Sequence, residues 1–183
     1  MYPTLRRFFW FLNKFFMAPM FRLGFGPFMG NPFTGYIMVL KTIGRKSGKL
    51  YYVPVNYTIH KGNIYCISGF RKEADWYRNL QVTPEIDIIT PSGDVYARME
   101  EVSDPEEKMI IARQTLINAG FAGFFEGYNP RRISDEELQQ KTADMPVLRF
   151  HPIGIGNGAS DYGGWAWILA TFLTVLIVLA FIF

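Results

Sequence analysis

Apolar and polar positions change period along the chain, and each change predicts an element. Leu5 to Met17 puts Leu5, Phe8, Phe9, Leu12, Phe15 and Phe16 at helical spacing, with Arg6, Arg7, Asn13, Lys14 and Trp10 elsewhere on the wheel. That pattern predicts a helix lying in the headgroup region of a membrane or packed over the rest of the fold, ended by Pro19. Gly24 to Gly35 is too irregular for a long helix. Tyr36 to Thr42 has strand length and opens with five apolar residues in a row, Tyr36 to Leu40, which predicts a buried strand. Next the period falls to two: Tyr51, Val53, Val55, Tyr57 and Ile59 share one face, and Tyr52, Pro54, Asn56 and Thr58 the other. Pro54 cannot donate to a ladder, which marks an edge, a bulge or a ligand-facing point.

Further on, Lys61-Gly62-Asn63 predicts a turn and Ile64 to Ser68 a return strand. Asp75 is a candidate cap for a short helix carrying Trp76, Tyr77 and Asn79. Glu85 to Thr90 and Val95 to Val102 form a hairpin around Pro91-Ser92-Gly93-Asp94. Ser103-Asp104-Pro105-Glu106 starts a helix that runs to Asn118 and stops at Gly120. Pro146 to His151 reads as the last strand, and Gly154 to Gly164 as a flexible tether. Five or six short strands with two intervening helices predict an α+β fold, a small and mainly antiparallel barrel.

The end of the chain is of a different kind. Trp165 to Phe183 contains no charged residue. Its length of about 19 residues suits the ~30 Å hydrocarbon core of a bilayer, and Trp165 and Trp167 stand where an interfacial aromatic belt belongs. The expected organisation is therefore an N-terminal amphipathic membrane-interface segment over 1–35, a barrel over 36–151, a Gly-rich linker over 152–164 and a transmembrane helix over 165–183.

Charge sharpens this picture. No Asp or Glu precedes Glu73, while Lys and Arg recur from Arg6 to Lys72. A one-signed half of this kind favours an anionic ligand or an anionic lipid surface, and no recognised nucleic-acid motif accompanies it. All the cations precede the C-terminal helix, so the barrel is expected on the cytoplasmic side of a bacterial inner membrane, held by a single pass. The single cysteine, Cys66, excludes an internal disulfide, and His60 and His151 are too far apart in sequence for a His-based metal motif to be read.

Candidate chemistry gathers at Thr42-Ile43-Gly44-Arg45-Lys46-Ser47-Gly48-Lys49. Gly44 and Gly48 can take positive φ in a tight turn and let backbone N–H groups point outward. Arg45, Lys46 and Lys49 add cations and Ser47 a hydroxyl. Such a turn can hold a phosphate or carboxylate, or be an ordinary solvated hairpin.

The order of motifs resembles the deazaflavin-dependent nitroreductase family. The resemblance is carried by Thr42-x-Gly44-Arg45-Lys46-Ser47-Gly48 with Pro54 beyond it, Ile64-Tyr65 ahead of Ser68-Gly69, Asp75-Trp76-Tyr77-Arg78-Asn79-Leu80 with Pro84, Gly127-Tyr128-Asn129-Pro130-Arg131-Arg132, and Pro146-Val147. It spans about Tyr36 to His151 and implies a split β-barrel that binds the coenzyme F420, or less often a flavin such as FMN. By that match Arg45, Lys46, Ser47 and Gly48 contact the coenzyme's phosphate and acidic tail, Pro54 lies beside the ring, and Trp76 and Asn79 shape the pocket. Many relatives carry an Arg where this chain has Tyr51, which removes one expected phosphate contact.

The resemblance and the anchor together imply an oxidoreductase that passes hydride from the reduced coenzyme to a lipophilic acceptor such as menaquinone. Tyr57, Tyr65, Tyr77 and Tyr128 are candidate donors to a reduced oxygen, although barrel tyrosines are more often packing residues. The contrasting expectation is an accessory subunit of a respiratory or photosynthetic membrane complex that keeps the barrel as a scaffold, with Thr171 and Thr174 available for helix–helix contacts. A third is plain binding of F420, flavin or haem.

Overall fold

A computed structural model describes residues 3–120, 129, 131–157 and 165–182, with backbone alone for 3–6. Six antiparallel strands close into a barrel: β1 (Ile37–Ile43), β2 (Leu50–His60), β3 (Asn63–Ile67), β4 (Glu85–Thr90), β5 (Gly93–Glu101) and β6 (Val147–Ile155), in the order β1-β2-β3-β6-β5-β4. Alternation along each strand fills the interior. Met38, Leu40, Ile64, Cys66, Ile86, Ile88, Ala97, Met99, Leu148 and Phe150 pack there, and one end is plugged by Ala74, Tyr77 and Leu80 at helix α4 (Asp75–Val82).

β1 is apolar on both faces from Ile37 to Leu40 because its outer face is covered as well. Val39 and Ile89 on that face meet Met17 and Phe21 of an N-terminal helical layer. The layer departs from the single helix expected. α1 (Pro3–Leu12) runs into a π-helical turn at Asn13–Met17 and then α2 (Ala18–Arg22), with α3 (Gly26–Met29) following. Pro19 does not end the helix: it sits in the first turn of α2, where a missing N–H costs nothing.

A second outer face is covered by helix α5 (Pro105–Asn118), whose Asp104 cap accepts from the Glu107 N–H at 2.9 Å. Ile111 packs on Tyr65, Val102 and Val147. The Tyr65 hydroxyl donates to Glu107 at 2.7 Å, and Arg149 donates to that hydroxyl at 3.0 Å while pairing with both Glu107 and Glu100. Gly120 stops the helix at φ +59°, and a Cβ there would meet the Phe33 carbonyl oxygen at 2.3 Å.

Helix α6 (Asp135–Thr142) was not anticipated, although Ser134 and Glu137 spell its capping signal and the Glu137 N–H donates to the Ser134 hydroxyl. β6 runs on to Ile155, through the first residues of the expected tether; residues 158–164 of that tether lie outside those described.

The C-terminal helix α7 (Ala166–Ile182) has 17 residues and buries none of them. At 1.5 Å per residue it is about 25 Å long, short of a ~30 Å hydrocarbon core. No helix among the described residues is long and apolar enough to cross a membrane, so the transmembrane helix expected over 165–183 finds no support here. Trp165 stands in a turn and Phe183 lies outside the described residues. Thr171 and Thr174 donate to their own helix carbonyls, Trp167 and Ala170, both at 2.8 Å.

Candidate functional site: a cation-rimmed open strand edge

β2 pairs with β1 over Leu50–Asn56 and with β3 only over Tyr57–His60. Its first half therefore has a strand on one side only. The bonds Gly44 N–H to the Lys49 carbonyl (2.8 Å) and Tyr57 N–H to the Tyr36 carbonyl (3.0 Å) fix which pairs face each other. Counting in steps of two from either bond, the backbone groups of Tyr52, Pro54 and Asn56 turn away from β1. Pro54, opposite Val39 in register, thus lies on the open edge, where its missing N–H breaks no ladder. An edge is among the readings open for Pro54, and the pairing shows it without a register shift.

The turn at the end of this edge closes on itself rather than opening. Gly48 takes φ +66°, but Gly44 is not among the residues of positive φ. The N–H groups of Ser47 and Gly48 both donate to the Gly44 carbonyl, at 3.1 and 2.8 Å, and that of Lys49 donates to the Ser47 hydroxyl at 3.3 Å. The outward ring of N–H donors expected from the two glycines is not formed. Gly44 is required for another reason: a Cβ there would lie 2.6 Å from both the Ser47 hydroxyl and the Tyr51 ring. Tyr51 folds over the turn and its hydroxyl meets that of Ser47 at 3.2 Å.

Arg45 faces inward across the mouth. Its backbone N–H donates to the Asn79 side-chain oxygen at 3.1 Å, and its guanidinium donates to that oxygen at 3.1 Å and to the Asp75 carbonyl at 3.2 Å. A charge-assisted bond to the Asp75 carboxylate closes the set at 2.9 Å. Asp75 is therefore not the cap of α4; Ala74 holds that position without a side-chain bond, and Asp75 spends its carboxylate on Arg45. Asn79 is buried by the same contacts. Lys46 and Lys49 have no acid partner among the described residues.

Trp76 stands half-buried against the barrel interior with Val53, Val55 and Tyr57 of β2. The result is an apolar margin along β2, bounded by Trp76, with two unpaired ammonium groups at one end. Of the expected site residues, Arg45 and Asn79 are bonded to each other, Lys46, Ser47 and Gly48 lie in the same turn, Pro54 stands further along β2 opposite Val39, and Trp76 packs on the barrel interior. Sequence reasoning missed Asp75 as the partner of Arg45 and Tyr51 as the cover of the turn; an acid at the start of the helix facing a cationic loop was the signal for the first.

Among the candidate tyrosines, Tyr65 is committed to Glu107, and Tyr77 donates to Glu101 at 2.6 Å. Burial first, and the Glu101 bond second, push the Tyr77 phenol up to about 12. Tyr57 is also raised, by burial and by the neighbouring Tyr36 phenol. Tyr128 and most of the Gly127–Pro130 motif lie outside the described residues. Beyond the far end of β2 an open cleft of about 410 Å³ lies between that strand and α5, lined by Tyr36, Thr58, His60, Ile110, Gln114 and Asn118. It is separate from the cationic turn.

Barrel, open edge and cationic turn together define a split-barrel protein of the flavin-reductase-like class. The family model described as F420H(2)-dependent quinone reductase matches residues 20–129, and the chain belongs to that family. Among curated proteins none matches. Similar solved structures include a conserved hypothetical protein from Mycobacterium tuberculosis, 15% identical over 66% of this chain and 75% of that one, with a TM-score of 0.48. An F420-H2 dependent reductase is 23% identical over 63% of this chain and 93% of its own, with a TM-score of 0.42. A heme storage protein from Vibrio cholerae is 14% identical over 75% and 89%, with a TM-score of 0.45.

Proposed function

We propose that this protein is an F420-dependent oxidoreductase whose coenzyme lies along the open edge of β2 and whose acceptor is lipophilic, such as menaquinone. The single observation that carries the reading is the pairing of that edge with two ammonium groups, Lys46 and Lys49, that have no acid of their own. The donor set fits an acidic coenzyme: a phosphate and carboxylate tail is what two uncompensated cations at a turn hold best. When bound, the reduced deazaflavin supplies the hydride.

The chain's own residues do the rest. Lys46 and Lys49 hold the acidic end, with the Ser47 hydroxyl beside them. Arg45 orients the turn through Asp75 and Asn79 instead of meeting the anion itself. Val53, Val55 and Trp76 keep water from the ring, and Pro54 leaves the edge without a donor that would demand a partner strand. In a family that also takes flavins, FMN is the alternative ligand.

Membrane anchoring belongs to the same reading. The uncharged stretch 165–183, with α7 apolar on every side, is the anchor that would hold the open edge of β2 beside a bilayer-dissolved quinone and raise its effective concentration. The barrel would then lie on the cytoplasmic face of a bacterial inner membrane. Anaerobic oxidation of reduced F420 by the purified chain in detergent, with menaquinone as acceptor, tests this. Turnover that requires both supports it; no change in coenzyme absorbance with any quinone or nitro acceptor removes it.

One observation favours a second reading. Arg45 already carries an internal carboxylate, so the turn is partly neutralised without a ligand. An accessory subunit of a larger respiratory or photosynthetic membrane complex, with the barrel as scaffold and no coenzyme bound, would have that property. Isolation from native membranes separates the two: a chain that migrates alone with bound chromophore supports the enzyme, and one that stays with other subunits and carries none supports the scaffold.

A further inference from the structure

The N-terminal layer shows two faces of opposite character. One is fixed: Met17 and Phe21 are 5% and 2% exposed on the outer face of the barrel, with Leu12 and Tyr52 beside them. The other presents large aromatic rings to the outside, with Trp10 58%, Phe11 60% and Phe15 56% exposed. These rings form one continuous patch, since Phe15 lies 4.8 Å from Phe11 and 6.1 Å from Trp10, centroid to centroid. The π-helical turn over Asn13–Met17 is what brings them together. Its wider turn sets Phe15 beneath residues four and five positions earlier, and such turns recur at functional sites.

The patch is charged on one sign only. The Lys14 ammonium stands 4.7 Å from the Trp10 ring and 5.4 Å from the Phe15 ring. Arg7 and Arg22 are exposed on the same layer, and no acid occurs in the chain before Glu73. An exposed aromatic surface with a lysine over its rings, and no acid near it in sequence, matches the interface of an anionic bilayer: rings at the acyl boundary, ammonium groups at the phosphates.

We infer that this face is a monotopic seat on an anionic lipid surface, separate from α7. It holds whether or not the open edge of β2 binds F420. It also orients the molecule, because the layer rests on β1 and on Tyr52 of β2, the strand whose first half carries the open edge. A lipid-borne acceptor would meet that edge from the side on which the layer lies.

The test uses the full chain reconstituted into vesicles of phosphatidylcholine with phosphatidylglycerol. Because α7 can hold the chain on vesicles in any case, the readout is local. A nitroxide is placed at Phe11→Cys or Phe15→Cys, with Gln139→Cys on α6 as the water-facing reference; the native Cys66 is fully buried. Accessibility to oxygen relative to a water-soluble nickel complex is expected to be several-fold higher at 11 and 15 than at 139. Lys14→Glu should lower that ratio in the mixed vesicles and leave it unchanged in phosphatidylcholine alone. Equal ratios at 15 and 139 overturn the inference, as does a patch that is water-facing in vesicles and shielded from both probes only in native membranes, which assigns it to a protein neighbour. F420 oxidation by the labelled chains is read separately, so loss of the seat and loss of the activity are told apart.

Discussion

The Arg45 guanidinium lies 2.9 Å from the Asp75 carboxylate, so the turn between β1 and β2 is tied to the helix that carries Trp76. The cation expected to grip a ligand is thereby a strut. Lys46→Ala with Lys49→Ala should weaken F420 binding by tenfold or more while leaving thermal stability unchanged, since neither ammonium has an acid partner to lose. Arg45→Ala should do both: weaken binding and lower stability by about 0.5–1.5 kcal/mol, because Asn79 loses the guanidinium and keeps only the backbone N–H of residue 45, while Asp75 loses its partner. Binding titrations and melting curves on the same preparations separate the two classes.

Tyr51 supplies the next prediction. Its ring lies where a Cβ on Gly44 would stand, and its hydroxyl meets Ser47. Gly44→Ala should expel the ring from the turn and raise the F420 dissociation constant, whereas Tyr51→Phe, which keeps the ring, should bind nearly as the parent does. If Gly44→Ala binds normally, the closed form of the turn is not the one that meets the ligand.

Much of this was legible in the residues. The apolar residues Ile37 to Leu40 announced a strand covered on both faces, and Asp104-Pro105 announced α5 with its cap, whereas the alternation in β2 gave the strand but not its burial, since Tyr51 and Ile59 are exposed and Thr58 is buried. The motif order from Thr42 to Pro84 announced the family. What one sequence could not show was pairing at a distance. Nothing local says that Asp75 would serve Arg45 in preference to its own helix end, or that β3 would meet β2 only over Tyr57–His60. The π-turn was hidden for a related reason: Pro19 reads as a stop unless the helix is known to restart just before it. α6 was passed over although Ser134-x-x-Glu137 is a capping signal, because Leu138 is the one residue it buries and its apolar face is correspondingly faint.

Acid should loosen α5 in a specific way. The Arg149 guanidinium, bonded to Glu107, holds that carboxyl below the usual carboxylate range, and Tyr65 adds a second donor. The folded value is depressed relative to the unfolded one, near 4.3. Its contribution is therefore present in full above that pH and lost as pH falls through the folded value. Glu107→Gln should cost about 1–3 kcal/mol at neutral pH and flatten the loss of stability seen in the parent below about pH 4. Urea titrations in detergent at neutral and acid pH check both. An unchanged acid limb would place the sensitive group elsewhere, with Glu100, lowered by its bond to His151, the next to examine.

Pro54 sets a last expectation, and it turns on one missing hydrogen. The backbone at Tyr52, Pro54 and Asn56 faces away from β1 along a stretch with no second strand. An open edge with a full row of donors and acceptors invites another chain to pair with it, and proline is among the devices that prevent this. Pro54→Thr returns an N–H to the middle of the row and keeps a β-favouring side chain. The fraction of chain sedimenting as dimer or larger in detergent should rise with concentration relative to the parent, and bound F420, which occupies the same edge in the proposed reading, should suppress that rise. Dimers that form and are indifferent to F420 would keep the edge but move the coenzyme off it. A chain that sediments as the parent does at every concentration would mean that the half-exposed side chains beside the edge already shield it from a second strand without the proline.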